Sequence, residues 1–423
     1  MRVRLSILLL PLLLGACTFE DATDEKKPAE TPAQAQATTD TTDWSVPEGD
    51  PEYDSAALAQ GRMDPAWRQY AERDRLERLG QTAPAQSPTP TPLTTSLEPP
   101  PPTGAEGGTA TPPPPARQTA QQAAEPMRVQ ILLDRARFSP GVIDGEWGKN
   151  TQKAVYWFQF AQGMNPTGDV DKATLDALVR ASGIGGNQDV LTRVQVTPED
   201  VKGPFTEVPK DPYEQEKLDC LCYASALELF AERGHASPEL VQKLNPKVDF
   251  ANLAPGTELV LPDVPQPGEV KSQTGVKPAQ GPAAAGQVTQ ILISKQGFYL
   301  QGLDSQGHIL YHFPSTLGSK YDPSATGTLQ LTGIHPKPDF HYQPSLFADV
   351  PDNKPEAHLP AGPNSPVGLV WMSLSKPHHG IHGTATPETI GYTSSHGCVR
   401  LTNWDALILA QNVRPGTPVV FRD

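Results

Sequence analysis

Proline sets the first limit on what this chain folds into. It supplies 47 of 423 residues, and twelve prolines fall between positions 83 and 116, including the runs Pro99 to Pro102 and Pro112 to Pro115. Proline fixes its own φ and gives up a backbone donor, so such a stretch favours extended polyproline geometry, at about 3.1 Å per residue, over helix or sheet. Residues 83–116 would then reach on the order of 100 Å and read as a spacer. Residues 18–57 are as poor in core formers. They hold eleven Asp and Glu against Lys26 and Lys27, which is nine of the formal net charge of −14. Acidity gathered in one stretch describes a solvated tail and argues against nucleic acid as a partner. Between the two stretches, Asp54 to Leu79 has the apolar spacing of one short helix. Residues 17–125 as a whole are expected to form a disordered acidic and Pro-rich tether.

The N-terminus indicates where such a tether is fixed. Arg2 and Arg4 precede a largely apolar run, Leu5 to Leu14, that is too short to span a bilayer and reads as an export signal. It ends in Leu14-Gly15-Ala16-Cys17, which resembles the lipobox of bacterial lipoproteins. The resemblance implies removal of residues 1–16, a thioether lipid on Cys17, and retention at a membrane surface at roughly 0.8 kcal/mol per buried methylene. Thr18, where an aspartate would favour the inner membrane, directs the expectation to the periplasmic face of the outer membrane.

Folded structure is expected from Pro126. Val129, Ile131, Leu132 and Leu133 suit one helix face, Asp144 to Gly148 mark a turn, Ala154, Val155 and Phe158 suit a second helix, and Asp171 starts a third through Leu175, Leu178 and Val179. Asp144, an acid before glycine, reads as a turn device. The run Val142-Ile143-Asp144-Gly145 to Gly148, with Thr151, Ala154-Val155, Phe158-Gln159, Thr167-Gly168 and Thr174-Leu175, resembles the peptidoglycan-binding domain of bacterial wall hydrolases. Residues 126–184 are thereby expected to be a small three-helix module that docks on glycan strands or stem peptides. In 200–264, Tyr223 to Arg233 and Ser237 to Leu244 are helical in pattern, and Glu258 to Pro262 is a short strand. The spacing Leu-x-x-Leu-Asn-Pro followed by Leu-x-x-Gly-x-x-Leu-x-x-Pro resembles a LysM domain, a small α+β unit that contacts N-acetylated sugars. Here a structural role and glycan contact both stand. Cys220 and Cys222 either pair with each other or stay reduced. Residues 265–286, rich in Pro, Gly, Ala and Gln, read as a linker.

Beyond that linker the period changes. Val288 to Ser294, Phe298 to Leu303, His308 to Pro314, Thr328 to Thr332, Gly368 to Leu374 and Pro418 to Arg422 are short apolar runs. One helix follows Thr402, whose hydroxyl can cap it with Asp405 three residues on. A mostly β domain over 287–423 follows. Nine of the ten histidines lie in it, so a histidine needs a reason before it is given chemistry. His308, His312, His335, His341, His358, His378 and His379 are assigned structural or surface roles.

His382 is set apart by its pattern with a lone thiol, Ile381-His382-Gly383-Thr384 followed by Ser395-His396-Gly397-Cys398-Val399-Arg400. A reactive cysteine needs a cation, an imidazole or backbone N–H groups beside it, and this loop can supply all three. With Ala325-Thr326-Gly327, Pro366-Val367-Gly368 and the terminal Gly416-Thr417-Pro418-Val419, the domain resembles the L,D-transpeptidase (YkuD-type) catalytic domain. The resemblance implies a β-sandwich with one or two helices, and needs no cofactor or metal. It implies Cys398 as nucleophile and His382 as base, with the Gly383 carbonyl fixing the imidazole tautomer. The N–H groups of Gly397 and Cys398 would bind the oxyanion. Arg400 would hold a substrate carboxylate or favour the thiolate, and His396 and Ser395 would shape the substrate loop. The implied reaction is attack on the third-residue carbonyl of a tetrapeptide stem, loss of D-alanine, and transfer to an amine of another stem or of an outer-membrane lipoprotein. Three other readings compete with it: an L,D-carboxypeptidase with water as acceptor, a non-catalytic wall anchor, and a zinc peptidase using His378, His382, His396 and Cys398. The zinc reading lacks an HExxH-like helix and a glutamate base.

Overall fold

The computed structural model describes residues 66–80, 126–184, 189–274, 287–319, 321–346, 350–351 and 353–422. The export signal, Cys17 and the stretches 18–57 and 83–116 lie outside the described residues. Among the described residues no helix is long and apolar enough to cross a membrane.

Helix α1 (Ala66–Arg78) falls inside the span expected to be tether, and it is docked. Trp67 and Ala71 are buried, the Trp67 ring meets Tyr156 edge-on at 5.8 Å, and the Tyr156 hydroxyl donates to Glu72 Oε2 at 2.8 Å. Residues 66–78 are therefore docked helix and not tether, because the short apolar pattern finds a partner surface. That surface is carried by α3 (Lys149–Ala161), which packs with α2 (Pro126–Arg135) beside α4 (Lys172–Ser182). Their apolar positions Val129, Leu132, Ala154, Phe158 and Leu178 are all buried. Asp171 caps α4 by accepting from Thr174 N at 2.7 Å. Asp144 shapes its turn by accepting from Glu146 N and Gln130 Nε2, beside Gly145 at φ +79°.

The next unit begins with β1 (Leu191–Gln195), continues through α5 (Pro212–Gln215), α6 (Ala226–Arg233) and α7 (Pro238–Leu244), and closes with β2 (Glu258–Pro262), antiparallel to β1. Its first strand lies before the expected boundary at 200. Leu191–Gln195 is only partly buried and lacks an apolar alternation strong enough to be read as a strand. Ser225 and Ser237 cap α6 and α7, and the Asn245 amide fastens α7 to β2 through both the N–H and the carbonyl of Val260. Cys220 and Cys222 form a disulfide. Leu221 between them donates its N–H to Ala361 O at 3.1 Å and accepts from Asn364 N at 2.9 Å.

β3 (Gln273–Thr274) pairs with a strand of the next domain, so part of the expected linker 265–286 lies on that sheet, while 275–286 is outside the described residues. The remaining strands are β4 (Gln290–Ser294), β5 (Tyr299–Leu303), β6 (Ile309–Pro314), β7 (Leu317–Gly318), β8 (Gly327–Pro336), β9 (Phe340–Tyr342), β10 (Ala357–Leu359), β11 (Val370–Leu374), β12 (Gly380–His382), β13 (Ser394–Ser395) and β14 (Val399–Arg400). Helix α8 (Asn403–Asn412) and β15 (Pro418–Arg422) complete the domain. The main sheet runs β14-β12-β11-β8-β15-β4-β5-β6. Its turning point is β8. Gly327 to Gln330 pair with β15, whereas Leu331 to Pro336 pair with β11. The two halves enclose one core, with Ile291, Leu300 and Val419 from one side, Ile334, Met372, Ile381 and Val399 from the other, and Leu409 of α8. This is the mostly β sandwich that the sequence predicts.

Strands β4 and β5 read as unbroken apolar runs because both of their faces are covered. Ile291, Ile293 and Leu300 point into the sandwich, while Leu292, Tyr299 and Leu303 belong to the helical core with Trp157 and Phe158. The chain after α2 also closes the edge at β6: Ser139 N donates to His312 O at 2.9 Å, and His312 N donates to Arg137 O at 3.0 Å. His235 ties three parts together. Its Nδ1 meets Asp134 Oδ2 at 3.0 Å, and its ring stacks on Trp404 of α8 at 5.0 Å.

Candidate active site

Strand β12 is three residues long, yet it sets the site. It pairs antiparallel with β11, placing Trp371 opposite His382, and parallel with β14, placing Ile381 beside Val399 and His382 beside Arg400. One step back in that parallel register, Cys398 comes beside Gly380. Side chains alternate along a strand, so Cys398, His382 and Arg400 share one face. Glycine is required at 380, because a Cβ there would overlap the Trp371 indole.

His382 is 3% exposed and stacks on Trp371 at 5.3 Å. Its Nδ1 donates to the Gly383 carbonyl at 2.7 Å. A carbonyl only accepts, so Nδ1 carries the proton and Nε2 keeps the lone pair. Burial, helped by the nearby Arg400 charge, pulls the imidazole down to about 3, against the opposing pull of the Gly383 carbonyl. Gly383 itself is wedged: a Cβ on it would overlap Asn403 Oδ1. That amide accepts from Leu369 N and donates to Pro363 O, both at 3.1 Å, and so fixes the Gly383 backbone from the start of α8.

The thiol ends the turn that Gly397 makes at φ +103°, a left-handed conformation suited to glycine. Ser395 Oγ donates to the Cys398 carbonyl at 2.6 Å, which closes the turn, and half-buried His396 lies within it. Cys398 Sγ contacts the His378 carbonyl at 3.7 Å. Burial raises its pKa, while the Gly380 N–H and Arg400 pull it the other way. Half-buried Arg400 keeps its Nε without a hydrogen-bond partner among the described residues. Ser395, His396, Gly397, Cys398, Arg400, His382 and Gly383 are thus gathered at the β12–β14 pair, whereas Cys17 lies outside the described residues. Among the described residues no group of three or more His, Cys, Asp and Glu is placed to hold a metal.

Sequence reasoning missed the Gly380 N–H, the His378 carbonyl, the Trp371 stack and the Asn403 wedge. Each acts through a backbone group or a close approach, so no residue pattern announces it. The two shifts have a joint consequence. A raised thiol facing a depressed imidazole is a neutral pair near pH 7, because each group titrates away from its charged form. Alkylation of the free protein by iodoacetamide is therefore expected to be slow at pH 7 and to rise with an inflection above the ordinary thiol value of about 8.5. A plateau reached near pH 6 would refute the neutral pair.

A model of the L,D-transpeptidase catalytic domain matches residues 289–421, and one described as a peptidoglycan binding domain matches residues 122–178. The Bacillus subtilis protein named as L,D-transpeptidase YkuD is 34% identical over 135 residues, which are 31% of this chain and 77% of that one. The Escherichia coli protein named as L,D-transpeptidase YbiS is 45% identical over 67 residues, covering 16% of this chain and 22% of its own length. A crystal structure of L,D-transpeptidase 3 from Mycobacterium tuberculosis is 15% identical with a TM-score of 0.27, covering 32% of this chain and 62% of that one.

Proposed function

The chain belongs to the L,D-transpeptidase family, and from that premise we propose that it joins peptidoglycan stems through a thioester on Cys398. The observation that carries this reading is the parallel β12–β14 pair, which puts thiol, imidazole and guanidinium on one face with the imidazole tautomer fixed by Gly383. Because the resting pair is neutral, the Cys398 proton passes to His382 Nε2 as sulfur attacks the third-residue carbonyl. The N–H groups of Gly397 and Cys398 receive the oxyanion, an arrangement worth roughly 3 to 4 kcal/mol per donor in a serine protease. Breaking the peptide bond returns the proton to the departing D-alanine nitrogen. Arg400, whose Nε has no hydrogen-bond partner among the described residues, holds a substrate carboxylate. An amine of a second stem, or of a lipoprotein, then takes the acyl group.

The helical module at 126–184 brings this chemistry to the wall polymer, and the lipobox supports a lipid on Cys17 that keeps the enzyme at the outer membrane, facing the periplasm. The test is incubation of the purified protein with a disaccharide-tetrapeptide, followed by mass analysis. The expected products are one D-alanine per dimer joined between third residues. D-alanine without dimer would reassign the protein as a carboxypeptidase. Absence of both, with binding to wall sacculi retained, would leave a non-catalytic anchor.

A further inference from the structure

Transfer to an amine poses a problem that His382 does not solve. An acceptor ammonium sheds one proton to solvent before it can attack and its amine sheds a second as the N–C bond forms, while His382 is 3% exposed and stacked against Trp371. A second imidazole stands over Gly397, the residue before the thiol. The β11–β12 turn runs through Lys376 to His379, closed by His379 N donating to Lys376 O and Leu374 N donating to His379 O. Within it His378 adopts φ +60°, a left-handed conformation that is strained for a residue with a Cβ and kept only where the surroundings impose it. That conformation turns the His378 carbonyl onto Cys398 Sγ at 3.7 Å. The next ring, His379, then lies over the catalytic turn: a Cβ built on Gly397 would stand 3.6 Å from His379 Nε2, with Pro323 O at 3.5 Å and Asp322 O at 3.8 Å completing the enclosure.

The tautomer of His379 is also fixed. Its Nδ1 donates to the Pro377 carbonyl at 2.9 Å, so in the neutral ring Nε2, the nitrogen facing Gly397, carries the lone pair. Burial, with Lys376 and His378 nearby, holds its pKa below the ordinary value and keeps the ring neutral. Unlike His382, His379 remains partly exposed.

We infer that His379 is the base for the second half-reaction, taking the proton of the acceptor amine as that amine attacks the Cys398 thioester. This rests on the transpeptidase reading. The step balances: the N–C bond forms and the C–S bond breaks. The proton leaves nitrogen for His379 Nε2 and then restores the departing thiolate to a thiol. His382 serves the donor and His379 the acceptor, so each half-reaction has its own imidazole.

The experiment separates the two halves. Acyl-enzyme formation is followed by intact mass with a disaccharide-tetrapeptide, and the isolated acyl-enzyme is then chased with a stem tripeptide bearing a free side-chain amine. In His379→Gln and His379→Asn the chase is expected to slow about 100-fold more than acylation does, within the range of general-base effects. In His379→Ala, added imidazole is expected to restore much of the chase, which a purely structural role would not allow. Equal loss in both halves, or a chase at the wild-type rate, overturns the assignment. If the wild-type protein forms no acyl-enzyme, the transpeptidase reading itself falls, and this failure is distinct from either.

Discussion

Gly383→Ala is expected to lower kcat on the order of 1000-fold while leaving the fold intact. The added methyl would overlap Asn403 Oδ1. The amide cannot simply withdraw, because Oδ1 accepts from Leu369 N and Nδ2 donates to Pro363 O, both at 3.1 Å. The backbone at 383 must yield instead, and its carbonyl is the group that holds His382 Nδ1 at 2.7 Å. Displacing a catalytic group by about 1 Å can cost about 100-fold, and losing the partner that sets a histidine tautomer cost about 10⁴ in a serine protease. The companion variant isolates the cause. Asn403→Ala removes the obstacle at the cost of leaving Leu369 N without its acceptor, about 1 to 3 kcal/mol of stability. Gly383→Ala with Asn403→Ala is then expected to recover a large part of kcat over Gly383→Ala alone. Steady-state kinetics on the tetrapeptide donor decide the matter: wild-type kcat in Gly383→Ala, or no recovery in the double variant, removes the wedge from the explanation.

The Asn403 wedge also marks where sequence reading stops. Asp171, Ser237 and Thr402 were legible as caps because a cap is written within three residues of the helix it starts. Strands β4, β5, β6, β11 and β15 were legible because burial spells them out as apolar runs. β12 and β14 were not read as strands, since three- and two-residue strands beside glycine carry no period. The thiol, its partner imidazole and Gly397 stood out through their motif, and the geometry brings them together. His379 did not: among nine histidines in one domain nothing local separates it from His378 or His341, and its distinction comes from a hairpin turn that folds it over Gly397. The Cys220–Cys222 pairing stayed open for a similar reason, since spacing alone permits a disulfide and does not require one. Docking of the helical module through Phe138 and Ser139 onto β6 joins residues far apart in the chain, beyond the reach of any local pattern.

Trp67→Ala is expected to release α1, at a cost of about 3 to 5 kcal/mol for a buried aromatic truncated to a methyl. Trp67 is 5% exposed against Tyr156, Asp74 meets the Tyr299 hydroxyl, Arg78 lies over the Trp157 ring at 5.0 Å, and Arg422 reaches Glu77 at 3.2 Å. Most of these contacts need the helix to be seated first, so loss of its largest anchor should undock it as a unit. The sandwich keeps its own core and is expected to melt near the wild-type temperature. Amide exchange then reads the outcome: α1 protection should collapse in Trp67→Ala while β4 and β11 keep theirs, and unchanged α1 protection would sink the prediction. On the proposal that Cys17 carries a lipid, this docking sets the length of chain between membrane and folded part. With α1 and α2 both seated on one body, residues 81–125 connect two fixed points and add nothing to the distance between Cys17 and the folded part. Only residues 17–65 remain to span it, about 50 residues, or no more than about 170 Å even at full extension. In Trp67→Ala the released helix and the proline-rich segment behind it join that span, so the same substitution that costs stability should lengthen the reach. Shortening 83–116 should accordingly leave cross-linking by the wild-type protein unchanged and restrict it only when α1 is free.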